Sequence, residues 1–338
     1  MKPLSSSYLS SLRAYAIIAV LIIHFLWLWG WDVFYNPDTR LLAVTLDQLV
    51  RFCVPLFITI SGYTLTLGYG KGKFPVLKYF TRRILKILPL YLLWSAVYII
   101  QGWFINHQFP SISQLPNQAL NFLILIIKGQ AYYHLYFVPL IIQLYLLFPL
   151  LRFFFNRKPH LTLILTVILQ TSFYIFLFAG RLYQSQLSIF TSDYSQYILS
   201  ISFIGYFTLG MYLTRFKIIA KSFLHKTLLI GLALSIIDSY LSITQGYSPL
   251  LSTTYTRLPM MVILFPLMII LFQPNFITKF QPNWLIFLGN QSYLIFLAHA
   301  AFLRIIIEVS HQYIINLLPA LTFPLLILFI NLKSSFKR

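Results

Sequence analysis

A few histidines and bases stand where chemistry inside a membrane could use them. His24 follows Arg13 by eleven positions in the run Arg13-Ala14-Tyr15-Ala16-Ile17-Ile18-Ala19-Val20-Leu21-Ile22-Ile23-His24. Eleven helical steps are about three full turns, so on one helix both side chains share a face, with about 16 Å of rise between them. A guanidinium at a membrane mouth and an imidazole deeper in would line one path. A neutral imidazole there can take the proton of a hydroxyl as it attacks, the general-base role of histidine. The other reading of His24 is a core histidine hydrogen-bonded to a neighbouring helix. The residues alone leave both open.

A second group is Arg82-Arg83-Ile84-Leu85-Lys86-Ile87-Leu88-Pro89-Leu90-Tyr91. Bases on one turn at the start of a span can hold phosphates, because arginine offers them a planar fork. They can equally be an anchor that keeps the segment on the cytoplasmic side. The Ser61-Gly62 pair within Pro55 to Tyr63 is explained by close helix packing without catalysis. Leu288 to His299 ends in another histidine at span depth. Gly68-Tyr69-Gly70-Lys71-Gly72 has the glycines of a phosphate loop but lacks the strand and helix that such a loop needs, and reads as a turn. Arg304 and Glu308, at i and i+4, read as a pair that neutralises itself. His107, His160, His225 and His311 fall in loops or at span ends.

These residues must be positioned by membrane helices. An apolar fraction of 59% with only 9% charged residues, and a mean hydropathy of +0.80, exclude a soluble domain of 338 residues. Runs long enough to span a bilayer lie near 12–31, 47–68, 84–104, 134–154, 160–179, 197–214, 225–243, 256–273, 284–306 and 313–332. Leu120 to Ile127 is too short to span and is expected in the interface or as a re-entrant piece. The first run lacks a small-residue cleavage pattern and reads as an uncleaved helix. The expected fold is an all-α polytopic membrane protein with about ten transmembrane helices, as a single domain over 1–338.

Orientation follows from the bases. With a cytoplasmic N terminus, about nineteen of the twenty-five Lys and Arg fall on inside segments, which decides the topology and puts both termini in the cytoplasm. The net charge of +19 is therefore read as retention of loops beside anionic lipid, with no nucleic-acid partner. Cys53 is the sole cysteine, so neither a disulfide framework nor a thiolate metal site is expected. Asp47 and Asp238 are the acids close to spans on the outer half, and no carboxylate can be assigned from sequence to orient His24.

Four segments in register resemble the acyltransferase-3 family of integral membrane acyltransferases. They are Arg13 to His24 (a base, ten spacers and a histidine), Pro55 to Tyr63 (apolar, then Ser-Gly), Arg83 to Tyr91 (two bases, then Pro and Tyr) and Ser292 to His299. Among its short members the chain resembles the poly-N-acetylglucosamine intercellular-adhesin type, which His134 to Pro139, Gln143 and Tyr145 also match. The resemblance implies transfer of an acyl group, usually acetyl, from cytoplasmic acyl-CoA to a hydroxyl of a cell-surface glycan or its precursor, in the cell membrane and without a metal. His24 is then the catalytic base, and Arg13, Arg82, Arg83 and Lys86 hold the donor's phosphates. Lys86 stands where the family has an arginine, which keeps the charge and loses the fork. The alternative is an exporter or flippase of a polysaccharide or lipid-linked sugar. Paired broken helices, the mark of rocking repeats, are not evident in the sequence.

Overall fold

The computed structural model describes residues 3–29, 37–70, 72–107, 109–111, 115–182, 199–216, 221–244, 258–273 and 281–313. Among them every regular element is helical. In chain order these are α1 (Ser6–Trp29), α2 (Pro37–Val50), α3 (Cys53–Tyr69), α4 (Val76–Asn106), α5 (Leu115–Lys128), α6 (Phe137–Arg157) and α7 (Pro159–Leu182). A 3-10 turn at Ser200–Ser202 leads into α8 (Ile204–Leu213), followed by α9 (Lys221–Thr244), α10 (Leu258–Leu271), α11 (Asn283–Asn290) and α12 (Ser292–Tyr313).

The chain is an all-helical membrane protein, though ten spans are not reached among the described residues. Six stretches are long and apolar enough to cross a bilayer, Ser6–Leu26, Val44–Tyr69, Val76–Asn106, Phe137–Arg157, Pro159–Leu177 and Ser222–Leu241, or seven if α11 and α12 count as one. The expected spans 197–214 and 256–273 are helices of 10 and 14 residues, short of the about twenty that a crossing takes. The expected span 284–306 breaks at Gln291 into α11 and α12. The expected span 313–332 lies outside the described residues. The stretch 120–127 belongs to α5, a 14-residue helix too short to cross. Large apolar side chains point outward all along the long helices, Leu77 at 83% and Leu85 at 67% exposed being extremes. Such surface would aggregate in water, and a bilayer covers it.

Packing divides the chain into two compact units, 1–80 with 139–289, and 81–138 with 290–338. The first is organised by backbone contacts at glycine. A Cβ on Gly62 of α3 would come within 2.0 Å of the Phe207 carbonyl oxygen, and one on Gly210 of α8 within 2.0 Å of that of Thr59. The two helices therefore cross with backbones touching, as small residues allow in membranes. Ser61 donates its hydroxyl to Phe57 O at 2.9 Å on its own helix, which suits packing rather than nucleophilic work. Gly289 abuts Ser10 of α1 in the same way, its Cβ position lying 1.7 Å from Ser10 O. Tyr8 of α1 donates to Leu271 O at 2.6 Å, and Gly205 N donates to Gln170 Oε1 at 2.9 Å.

These contacts predict opposite outcomes at neighbouring glycines. Gly62→Ala forces α3 and α8 apart and should cost about 1–3 kcal/mol. Gly68→Ala, with open space around its Cβ position, should gain about 0.5–1 kcal/mol from lost backbone entropy. Thermal unfolding in one detergent compares the pair, and a Gly62→Ala protein as stable as Gly68→Ala contradicts the crossing.

In the second unit, tyrosine hydroxyls reach helix carbonyls across from them. Tyr91 of α4 donates to Ile126 O of α5, and Tyr293 of α12 donates to Ile87 O of α4 at 2.8 Å. Membrane helices lack a hydrophobic driving force toward each other, so such bonds carry much of the specificity of their pairing.

Candidate functional site

The stripe on α1 is intact. The helix runs unbroken from Ser6 to Trp29, so Arg13 and His24 sit on one face, about three turns apart. Both are half-buried, whereas Leu12, Ala14, Ala16 and Ile17 are fully buried around them. The small side chains Ala14, Ala16 and Ala19 let α1 press close to its neighbours. Tyr145 of α6 is the electrostatic neighbour of Arg13.

Arg82, Arg83 and Lys86 belong to the second unit, Arg13 and His24 to the first. The basic trio stands two turns inside α4 rather than at its start, because the helix already begins at Val76. Arg82 and Lys86 are exposed, and Arg83 is half-buried. At i, i+1 and i+4 they present guanidinium and ammonium groups from adjacent turns. Pro89 follows inside the helix.

The second unit also gathers histidines that the sequence kept separate. His134, just ahead of α6, and His299, on α12, meet with ring centroids 4.8 Å apart at 66°. Each is 1% exposed. The Nδ1 of His299 lies 2.8 Å from Phe296 O. A carbonyl accepts only a hydrogen, so Nδ1 carries the proton and Nε2 is the basic nitrogen in the neutral ring. Tyr98 packs edge-on to His134 at 5.3 Å and stacks on Tyr132 at 4.4 Å. Its hydroxyl donates to Leu297 O at 2.6 Å and accepts from Ala301 N at 3.1 Å, bracketing the turn that holds His299. Tyr98→Phe should lower stability by about 1 kcal/mol and loosen that turn, which faster hydrogen exchange at the Ala301 amide would report. Unchanged exchange would show that the hydroxyl does not hold it.

Ionisable groups at membrane depth tend to be paired or functional, and a further one is paired here. Asp47 of α2 is fully buried and takes a two-pronged salt bridge from Arg51, whose Nε meets Oδ2 and whose Nη2 meets Oδ1 at 3.1 Å. Gln48 Nε2 adds a donor at 3.3 Å. Asp47, which the sequence does not assign to a histidine, is thus taken by Arg51 at i+4. Arg304, expected to pair with Glu308, has its guanidinium carbon 6.0 Å from the Tyr132 ring centroid; the Glu308 side chain lies outside the described residues. His107, His160 and His225 are exposed, as their positions implied. His160 Nδ1 nevertheless meets the Tyr212 hydroxyl at 3.0 Å. The side chain of His311 lies outside the described residues.

Three basic segments of the first unit converge through side-chain bonds to backbone carbonyls and to one another. Arg152 donates through Nε to Tyr69 O and through Nη2 to Gly72 O at 2.6 Å. Asn156 Nδ2 donates to Gly70 O at 3.1 Å, and its Oδ1 accepts from Arg215 Nη2. Residues 69–72, 152–156 and 215 thus share one end of that unit, as the charge count requires if all three lie on one side of the membrane.

The comparisons with known proteins bear on this arrangement. The family model described as an acyltransferase domain, the acyltransferase-3 model, matches residues 6–332. Neither a curated protein nor a solved structure matches the chain. The family match takes in the α1 stripe, the basic trio of α4 and the late histidine of α12 together. With nearly its whole length covered, this membrane protein belongs to the acyltransferase-3 family.

Proposed function

We propose that the chain moves an acyl group, acetyl in the simplest case, from cytoplasmic acyl-CoA to a hydroxyl of a cell-surface glycan or its precursor. The observation that carries this reading is the Arg13–His24 face of an unbroken α1 in a chain of the acyltransferase-3 family. Arg83, Lys86, Arg82 and Arg13 are assigned to the phosphates of the donor, as cations with nucleotide-like anions. His24 is the general base. Its imidazole takes the proton of the acceptor hydroxyl while the oxygen attacks the thioester carbonyl carbon. The carbon–sulfur bond then breaks, and the CoA thiolate leaves with a proton returned by the imidazolium. The products are an ester and free CoA.

The rival reading, export of a polysaccharide or a lipid-linked sugar, predicts a different product defect. The surface polysaccharide of cells with and without the gene separates them by mass analysis. Lost ester groups on a polymer that still reaches the surface support acyl transfer. Polymer retained inside the cell with its esters intact supports export and overturns the proposal.

A further inference from the structure

We infer that the stretch 115–134 re-enters the membrane from its outer face and opens a water-filled recess there, in which Asn121 and Lys128 bond the hydroxyls of a saccharide. Assigning that saccharide as the acyl acceptor rests on the proposed transfer; the recess itself does not.

Three contacts within the second unit trace the path. Trp103, three residues from the end of α4, meets Phe122 of α5 with ring centroids 5.3 Å apart. Four residues further along α5, Ile126 O accepts from Tyr91, which stands fifteen residues from either end of α4, about 22 Å of helix each way. The chain then turns back, for Tyr132 stacks at 4.4 Å on Tyr98, between the other two positions on α4. So α5 descends beside α4, stops near its middle and returns toward the end it came from. The stop is local chemistry. Gly129 takes φ +69°, and the amides of Gly129 and Gln130 donate to Ile126 O at 3.1 Å and Leu125 O at 2.7 Å, a glycine cap that closes the helix. With the bases of 82–86 toward the cytoplasm, the end that α5 comes from is the outer one.

The side chains along this path decide what fills it. Lys128, in the last turn of α5, is exposed. A charge at such depth is costly against lipid, and irregular backbone is tolerated there where protein buries it or water lines it. Asn121, about two turns earlier on the same flank, is exposed as well. Helix side chains lean toward their own N terminus, which on α5 is the direction of the outer mouth. The neighbouring flank of Leu120, Leu123, Ile124 and Ile127 is exposed and apolar, a lipid face. The helix is thus divided lengthwise, with lipid on one flank and a ladder of polar groups on the next. On the returning limb Tyr133 is 42% exposed. Amide and ammonium donors beside an open ring suit a sugar, whose hydroxyls bond at its rim and whose C–H groups lie on an aromatic face. The negative face of that ring disfavours a bare anion.

The test begins with single cysteines treated in intact cells with a membrane-impermeant maleimide. Native Cys53 is fully buried and sets the background. Lys128→Cys and Gln130→Cys should react from outside, either one sufficing if the other is absent from the membrane, whereas Leu123→Cys on the lipid flank should not. The probe for the occupant is surface polysaccharide from cells lacking the gene. Added to the purified full chain, it should abolish labelling of Gln130→Cys, which keeps Lys128, and spare His107→Cys beyond the end of α4. In membranes given acetyl-CoA and the same polysaccharide, Lys128→Gln should raise the half-saturating polysaccharide about tenfold and leave that of acetyl-CoA unchanged. Reaction of both tip cysteines only after permeabilisation, equal labelling of Leu123→Cys, labelling that polysaccharide does not slow, or a rise in half-saturating acetyl-CoA instead would each overturn the assignment. Protection by polysaccharide without any transfer in wild type supports the recess and overturns acyl transfer.

Discussion

His24→Ala is expected to lower acyl transfer by about 10²- to 10⁴-fold, the range that a positioned general base supplies. The protein should remain in the membrane in normal amount. The position is half-buried on an α1 whose packing rests on Leu12, Ala14, Ala16 and Ile17 rather than on the imidazole. The measurement is ester content of surface polysaccharide from wild-type and variant strains, normalised to membrane protein detected on a blot. Ester content unchanged by His24→Ala removes the catalytic role. Loss of both ester and protein would instead make His24 a packing residue. His24→Gln separates these further, since it keeps a hydrogen-bonding side chain of similar reach without a basic ring nitrogen. Activity restored in that variant would mean that hydrogen bonding suffices.

The largest effect on stability is expected at Asp47. Asp47→Asn removes the carboxylate charge but keeps the shape, leaving the Arg51 guanidinium, 6% exposed, without its counter-charge. Breaking a buried pair by taking away one partner costs about 3–5 kcal/mol, a large fraction of the about 5–15 kcal/mol by which proteins are stable. The double variant Asp47→Leu with Arg51→Met should recover much of the loss, because an apolar pair of like volume carries no stranded charge. Melting temperatures in detergent for the two single changes and the pair give the coupling directly. Equal melting temperatures for wild type and Asp47→Asn would mean that Arg51 finds another anion, and the pair would lose its structural role.

Much of this fold is legible in the residues because membrane helices are written in composition. The long runs of apolar residues place α1, α3, α4, α6, α7 and α9 close to where they lie, since a bilayer imposes one length on all of them. The expected spans that are shorter or bent among the described residues are those in which length and hydropathy part company. Ile204–Leu213 is apolar enough to cross, but its helix starts only after the 3-10 turn at Ser200–Ser202, which Tyr174 and Gln143 tie down by hydrogen bonds. Hydropathy reports solvent and is silent on backbone pairing. In 284–306 the polar stretch Asn290-Gln291-Ser292 interrupts the apolar run, and there the helix stops and restarts.

The candidate site divides in the same way. The Arg13–His24 stripe follows from helical spacing, a local quantity, and so could be read directly. The meeting of His134 with His299, or of Asn156 with Arg215, joins residues 165 and 59 positions apart. Nothing in a single sequence fixes such pairings, because they depend on which helices become neighbours. Asp47 with Arg51 is the instructive exception, a buried pair that is local in spacing, at i and i+4.

The glycine contact between Gly289 and Ser10, and the bond from Tyr8 to Leu271 O at 2.6 Å, bear on the order of assembly. Synthesis runs from the N terminus, so α1 is delivered to the bilayer before the residues that Tyr8 and Ser10 meet. Until Gly289 is made, Ser10 has no α11 to rest against. A chain halted at residue 270 should therefore insert α1 yet leave its Ser6–Leu12 turns unclamped and open to proteolysis, a state that arrival of α11 ends.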